Sequence, residues 1–393
     1  MKLFITKRAL NFIALFIFTI NPFLYSQILK NIESNFLTIN SDIIDNHEKT
    51  DSLILFIEEN KIDNILIHIY SNGKAMYNSK LISHQDDSSY YYDPLRNIID
   101  KFDTLNVKVH AWIDVYKLWD ENNFPLNLNH FYYQCPECLE ADINGRSDQN
   151  IKLDEIQSIE WEGIFLSPLH PIVNNYILSI ISEILNEYNF DGVYLDYLRY
   201  QDYYYGYNIE GLNQFINIYG INPQDINRGI ISKKFGYNEN EIDSISSLWN
   251  HYKSEKITDL LKSINDKYKF NNLEIGVSVI SNPLESKNRW YQDWGLWLEK
   301  ELVDYVIIEP SDNNYIDYNY KIKQINELIN YDKKDKICFG LYINNQKQFD
   351  LSNRIISLRL NGFEKISLNY DFIKDTTHWY EPIYRIINFN INK

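Results

Sequence analysis

Apolar residues recur along this chain with two alternating periods. Short strand-like apolar runs are interleaved with stretches whose apolar positions return every three or four residues, as on one face of a helix. Phe36–Asn40 reads as a weak first strand, and Asp51–Asn60 carries Leu53, Ile54 and Ile57 at helical spacing. Asn64–Tyr70 is a second strand, closed by a Ser71-Asn72-Gly73 turn. Asp93-Pro94 opens a helix with an apolar face of Leu95, Ile98, Ile99 and Phe102. Val107–Asp114 is a third strand, with His110, Trp112 and Asp114 on one face. A broad apolar stripe over Pro171–Tyr188 predicts a long helix packed on a sheet, and Asp191–Asp196 follows as a fourth strand. Leu248–Tyr268 is a helix, Leu273–Ile280 a fifth strand and Gln292–Lys300 a short helix. Val303–Glu309, Lys336–Ile343 and Glu364–Tyr370 complete the series.

Strands alternating with helices over most of the chain predict an α/β fold, a single-domain (β/α)8 TIM barrel. Long loops follow the third strand (Tyr116–Pro168) and the fourth (Tyr197–Ser247). Both lie on the side where such a barrel builds its active site. In the fourth strand, alternation puts Gly192, Tyr194 and Asp196 on one face. Asp196 falls at the carboxyl end; Asp191, at the other end, reads as structural.

The chain has 393 residues, 45% hydrophobic and 15% aromatic, which excludes disorder and indicates a large core. Its formal charge of −16 argues against nucleic acid and anionic membrane surfaces as partners. The 32 tyrosines carry little weight one by one, but the cluster Tyr203–Tyr207 offers aromatic faces of the kind that stack on sugars. Lys2, Lys7 and Arg8 precede an apolar segment, Ala9–Ile20, too short to span a bilayer, with a cleavage point at Tyr25-Ser26-Gln27. Residues 1–26 are therefore expected to be a signal peptide and 27–393 the barrel. The mature protein would be exported (periplasmic, cell-surface or secreted) without stable membrane insertion; an uncleaved anchor is the alternative. Cys135 and Cys138 read first as a local disulfide, then as free thiols, then as half a metal site, while Cys338 sits in an apolar strand. His68, His110 and His130 lack zinc-ligand spacing, so no metal or cofactor is expected, and calcium in an acidic loop stays open.

Several stretches resemble the glycosyl-hydrolase-like family 10 proteins: Asn72-Gly73-Lys74-Ala75, Val109-His110-Ala111-Trp112-Ile113, Phe190–Tyr200, Tyr291-Gln292-Asp293-Trp294 with Trp297, and Val303-Asp304. The resemblance implies a (β/α)8 barrel and an exported glycoside hydrolase acting on a polysaccharide or glycan. Two positions depart from the family pattern. Where relatives tend to end the sixth strand with Pro-Met, this chain reads Ile308-Glu309-Pro310, and a glycine usual before that strand is replaced by Glu301 or a neighbour.

Glycoside hydrolysis needs a proton donor and a second carboxylate as nucleophile or base. Asp196 is the first catalytic candidate, from its strand-end position and its place in the resemblance. Partner candidates rank Asp293, then Glu309, then Asp114; Asp293 could instead cap the helix beginning near Trp294. Substrate-binding candidates are Arg199, for hydroxyls or a carboxylate, and Trp112, Tyr197, Tyr200, Trp290 and Trp294 for stacking. Asn72, His110 and Asp114 are candidates for hydrogen bonds to a sugar. A non-catalytic glycan-binding barrel is the rival reading.

Overall fold

The computed structural model describes residues 35–40, 43–44, 47–60, 62–82, 93–121, 123–150, 161–227, 236–268, 271–310, 315–342 and 348–369. The expected signal peptide, residues 1–26, lies outside the described residues.

Eight parallel strands close into a barrel: β1 (Asn35–Asn40), β2 (Asn64–Ser71), β3 (Lys108–Asp114), β4 (Gly192–Asp196), β5 (Glu274–Val279), β6 (Tyr305–Ile308), β7 (Ile337–Tyr342) and β8 (Lys365–Asn369). Each pairs with its sequence neighbours, and β1 pairs with both β2 and β8, so no edge is left open. The expected strands all appear, with ends that differ by one or two residues.

The connecting helices are α1 (His47–Asn60), α2 (Pro94–Thr104), α3 (Val173–Glu187), α4 (Ile209–Tyr219), α5 (Glu239–Tyr268), α6 (Pro283–Arg289), α7 (Trp294–Glu299), α8 (Tyr315–Leu328) and α9 (Gln348–Leu360). In α2, Asp93 caps the first turn by accepting from the Arg96 N–H at 3.1 Å, and the expected face of Leu95, Ile98, Ile99 and Phe102 is buried. Phe102→Ala would cost about 3–5 kcal/mol through the cavity it leaves.

The segment after β4, read from the sequence as one long loop, contains α4 and the start of α5. Asn208 caps α4, and Gly220, in the left-handed conformation, ends it. Helix α5 begins nine residues before the expected Leu248. There Asn238 and Glu241 form a reciprocal capping box, each side chain accepting the other's backbone N–H at 3.1 and 2.8 Å. The cap holds a turn whose apolar periodicity is too sparse to announce it. In the loop after β3, Lys117–Trp119 pairs antiparallel with Ile164–Phe165, and Cys135 and Cys138 are joined as a disulfide.

Outward-facing strand residues pack on the helices in one large core. Inside the barrel, Phe36, Leu66, Tyr194, Tyr305, Ile307 and Cys338, with Trp112 against them, form a second, smaller cluster. Gly192 leaves room for it, since a Cβ there would collide with the His110 ring. This cluster fills the barrel interior between the His110 floor and the carboxyl ends of the strands, where open space begins.

Candidate active site

Alternation along β3 and β4 aims His110, Trp112 and Asp114 inward beside Gly192, Tyr194 and Asp196, pairing Asp114 with Asp196 at the rim. A cavity of about 250 Å³ opens there, lined by Trp112, Tyr197, Arg199, Asp196 and Glu309 together with Glu162, Thr38, Ser278, Tyr342 and Asn369.

Asp196 accepts a hydrogen bond from the Trp112 indole N–H to Oδ2 at 3.1 Å and one from the Tyr197 N–H to Oδ1 at 2.9 Å. The second requires Tyr197 to adopt φ 49°, a left-handed conformation that costs a non-glycine residue roughly 1–2 kcal/mol. Burial raises the Asp196 pKa above the usual carboxylate value, and the nearby Asp114 adds to the rise.

Glu309 stands one residue past β6, its N–H bonded to the Val279 carbonyl at 2.9 Å. Gly340 on β7 permits this close approach, because a Cβ there would lie 2.7 Å from the Ile308 carbonyl oxygen and 2.8 Å from Pro310 Cδ. Burial pushes the Glu309 carboxyl up to about 7; Arg199 opposes the rise, while Asp196 and Glu162 add to it. Arg199 is 3% exposed, and its Nη2 donates to Glu162 Oε2 at 2.6 Å. Its guanidinium also lies 5.4 Å from the Tyr197 ring centre, with Lys117 Nζ at 3.9 Å.

Asp114 lies behind this cavity rather than on its wall. Its Oδ1 is 2.9 Å from His68 Nε2, and its Oδ2 accepts from the Ser71 hydroxyl at 2.9 Å. Burial disfavours its charge, yet His68, Lys117 and Ser71 outweigh burial and hold Asp114 below the usual carboxylate range. The His68 ring stacks on Trp112, centroids 4.0 Å apart at 13°, so this network also supports the indole that donates to Asp196.

The other sequence candidates lie outside the cavity lining. Asp293 forms an ion pair with Lys287 at 2.8 Å and makes no side-chain cap to α7. His110 is buried at the barrel floor, 2.9 Å from the Tyr305 hydroxyl, and burial drives its pKa down to about 3, so it is neutral. Tyr200 is fully buried and donates to the Lys253 carbonyl at 3.2 Å. Trp294 is likewise buried and donates to the Ile280 carbonyl at 3.0 Å. Trp290 lies under the Arg289 guanidinium, 4.6 Å from its ring centre. Asn72 occupies a left-handed turn whose carbonyl accepts from His130 Nε2 at 2.8 Å.

Glu162, which sequence reasoning missed, sits in a long loop with no periodic position to mark it. Thr38, Ser278 and Asn369 did carry a signal. Each is a polar residue of inward parity near the carboxyl end of a strand.

Residues 28–311 match the model of one family, glycosyl hydrolase-like 10. The chain belongs to that family. Among curated proteins it is similar to glycosyl hydrolase DigH of Escherichia coli K12, with 24% identity over 269 residues, 62% of this chain and 53% of the relative. The chain thus spans about half the length of the curated relatives it matches. Among solved structures it resembles the PgaB (BpsB) glycoside hydrolase domain of Bordetella bronchiseptica: TM-score 0.67, 12% identity, 91% of this chain and 99% of that one. An alpha-L-fucosidase isoenzyme 2 of Paenibacillus thiaminolyticus aligns with TM-score 0.57 and 13% identity over 90% of this chain and 48% of that one. At these identities the family's barrel architecture is what is shared.

Proposed function

We propose that the protein is an exported glycoside hydrolase cleaving a polysaccharide or glycan, with Asp196 and Glu309 as its carboxylate pair. One observation carries this reading: two half-buried carboxyl groups, from the ends of β4 and β6, open into the same rim cavity. The roles follow from their surroundings. Asp196 accepts two N–H hydrogen bonds, which favour its charged form. Among the described residues Glu309 accepts none, and burial lifts it to about 7, so it keeps a proton available near neutrality. Glu309 thus protonates the departing glycosidic oxygen as Asp196 acts as nucleophile or water-activating base. Trp112 and Tyr197 present aromatic edges and faces to the sugar, and Arg199 holds the Glu162 side of the cavity.

Export is supported by the basic and apolar segments at the amino terminus and by the Cys135–Cys138 disulfide, which suits an oxidising compartment. Mass measurement of the exported chain tests it, with cleavage near Ser26 expected.

The function is tested by sugar release from a panel of cell-wall and plant polysaccharides, comparing the parent with Asp196→Asn. Release by the parent alone is expected. Equal release by both removes Asp196 from the mechanism, and binding without release by the parent marks a non-catalytic glycan-binding barrel.

A further inference from the structure

The tyrosine cluster after β4 takes no part in the catalytic cavity. Tyr203 and Tyr204 are 44% and 47% exposed, and their ring centres are 3.8 Å apart. The backbone beneath them is tied down. Asp202, itself 5% exposed, accepts from the Tyr203 N–H at 2.6 Å and from Arg289 Nε and Nη2 at 3.0 and 3.2 Å. The Ile143 N–H donates to the Tyr204 carbonyl at 2.7 Å, and the Tyr291 hydroxyl to the Tyr203 carbonyl at 3.4 Å. Two exposed rings on a pinned loop form a surface with little ordering entropy left to lose on binding.

Beside them lies a second cavity of about 400 Å³, whose walls include Tyr203, Tyr204, Trp249, Asn250, Asn288 and Tyr291. It shares no lining residue with the catalytic cavity. The exposed Tyr203 and Tyr204 rings, with the exposed Asn288 in the same lining, suit a pyranose, whose C–H face stacks on a ring while its hydroxyl edge takes hydrogen bonds. Arg199 lines the catalytic cavity and Tyr203, four residues on, lines the second. Four residues reach at most about 14 Å, which bounds the backbone separation of these two lining residues.

We propose that Tyr203, Tyr204 and the adjoining cavity form a second glycan-binding site, which holds another stretch of the polysaccharide chain being cut at Asp196 and Glu309. The proposal rests on the hydrolase reading and deepens it: the substrate is a polymer, gripped away from its scissile bond.

Binding and turnover are measured separately. The full-length Asp196→Asn protein is run by affinity electrophoresis in native gels containing hydroxyethyl cellulose, xylan, glycol chitin or galactomannan. Retardation by at least one polymer is expected. Adding Tyr203→Ala and Tyr204→Ala should weaken that binding about tenfold, roughly 1.4 kcal/mol, while Tyr203→Phe with Tyr204→Phe should retain it. Asn288→Ala, elsewhere in the cavity lining, should weaken it as well. Undiminished retardation of the double alanine protein overturns the proposal, as does a parent that no polymer retards. Sugar release by the parent is scored independently. Release with unaffected binding in the double variant sinks the second site alone; impaired binding without release sinks the hydrolase reading alone.

Discussion

At the amino-terminal end of the barrel, inward-facing His110 of β3 is buried against Tyr305 of β6, out of reach of solvent. At the carboxyl-terminal end, the same two strands and β4, which pairs with β3, direct Asp114, Glu309 and Asp196 to a rim with an open cavity. Both ends bury ionisable groups, and burial disfavours the charged form of each, although at Asp114 its partners outweigh it. The floor keeps His110 neutral with no access, whereas the rim holds Glu309 near 7 beside Asp196 and open space. A buried ionisable residue is therefore not by itself a site. Long loops after β3 and β4, which bring Glu162, Tyr197 and Arg199 to the rim, make the difference.

The sharpest contrast is in turnover. Asp196→Asn and Glu309→Gln should each lower sugar release by about 10²–10⁴-fold, while Tyr305→Phe at the floor should leave it unchanged. In the parent, activity should decline as pH rises through about 7, where Glu309 loses its proton, and Glu309→Gln should abolish that limb.

Stability should report the floor. The unfolded chain takes up a proton at histidine near pH 6.5, whereas folded His110 does so only near 3. Between those values the unfolded state binds more protons, so stability present above 6.5 falls as pH falls. The loss is on the order of 5 kcal/mol in full. Urea midpoints measured from pH 7 to 4 should show this slope, and His110→Gln should flatten it.

Asp114 provides the rim's counterpart. Its folded pKa is depressed, so its contribution is present above the unfolded carboxylate value and is lost as pH falls through the folded one. Asp114→Ala, which strands His68 and Ser71, should cost about 3–5 kcal/mol by denaturant titration at pH 7. An equally stable variant would show that the network is not holding the rim.

The smallest effect lies away from both ends. Glu301, before β6, has φ 55°, where a side chain is strained. Glu301→Gly should raise the unfolding free energy, measured by urea titration, by up to about 1 kcal/mol, since glycine's entropy cost offsets part of the relief.

Much of this architecture was legible from periodicity. The eight strands, the buried face of α2 and the rim position of Asp196 each depend on which residues repeat along a single element. The first turns of α5 were missed because their evidence was capping chemistry at Asn238 and Glu241 rather than a strong apolar stripe, whereas α4 did carry one in Leu212, Phe215 and Tyr219 behind its Asn208 cap. Glu301 shows the converse, a departure visible in the sequence whose left-handed backbone explains why glycine suits that position.

Sequence alone determined that a closed parallel barrel would form and that Asp196 would face its rim, because alternation and strand direction are local properties. Only the tertiary structure decided which carboxylate stands with it. The sequence ranking put Asp293 ahead of Glu309, but barrel closure sets Glu309 in the cavity with Asp196 and leaves Asp293 beside Lys287. Glu162 reaches Arg199 from 37 residues away along the chain. Such meetings depend on where distant strand ends and loops converge, and no pattern within one element encodes that distance.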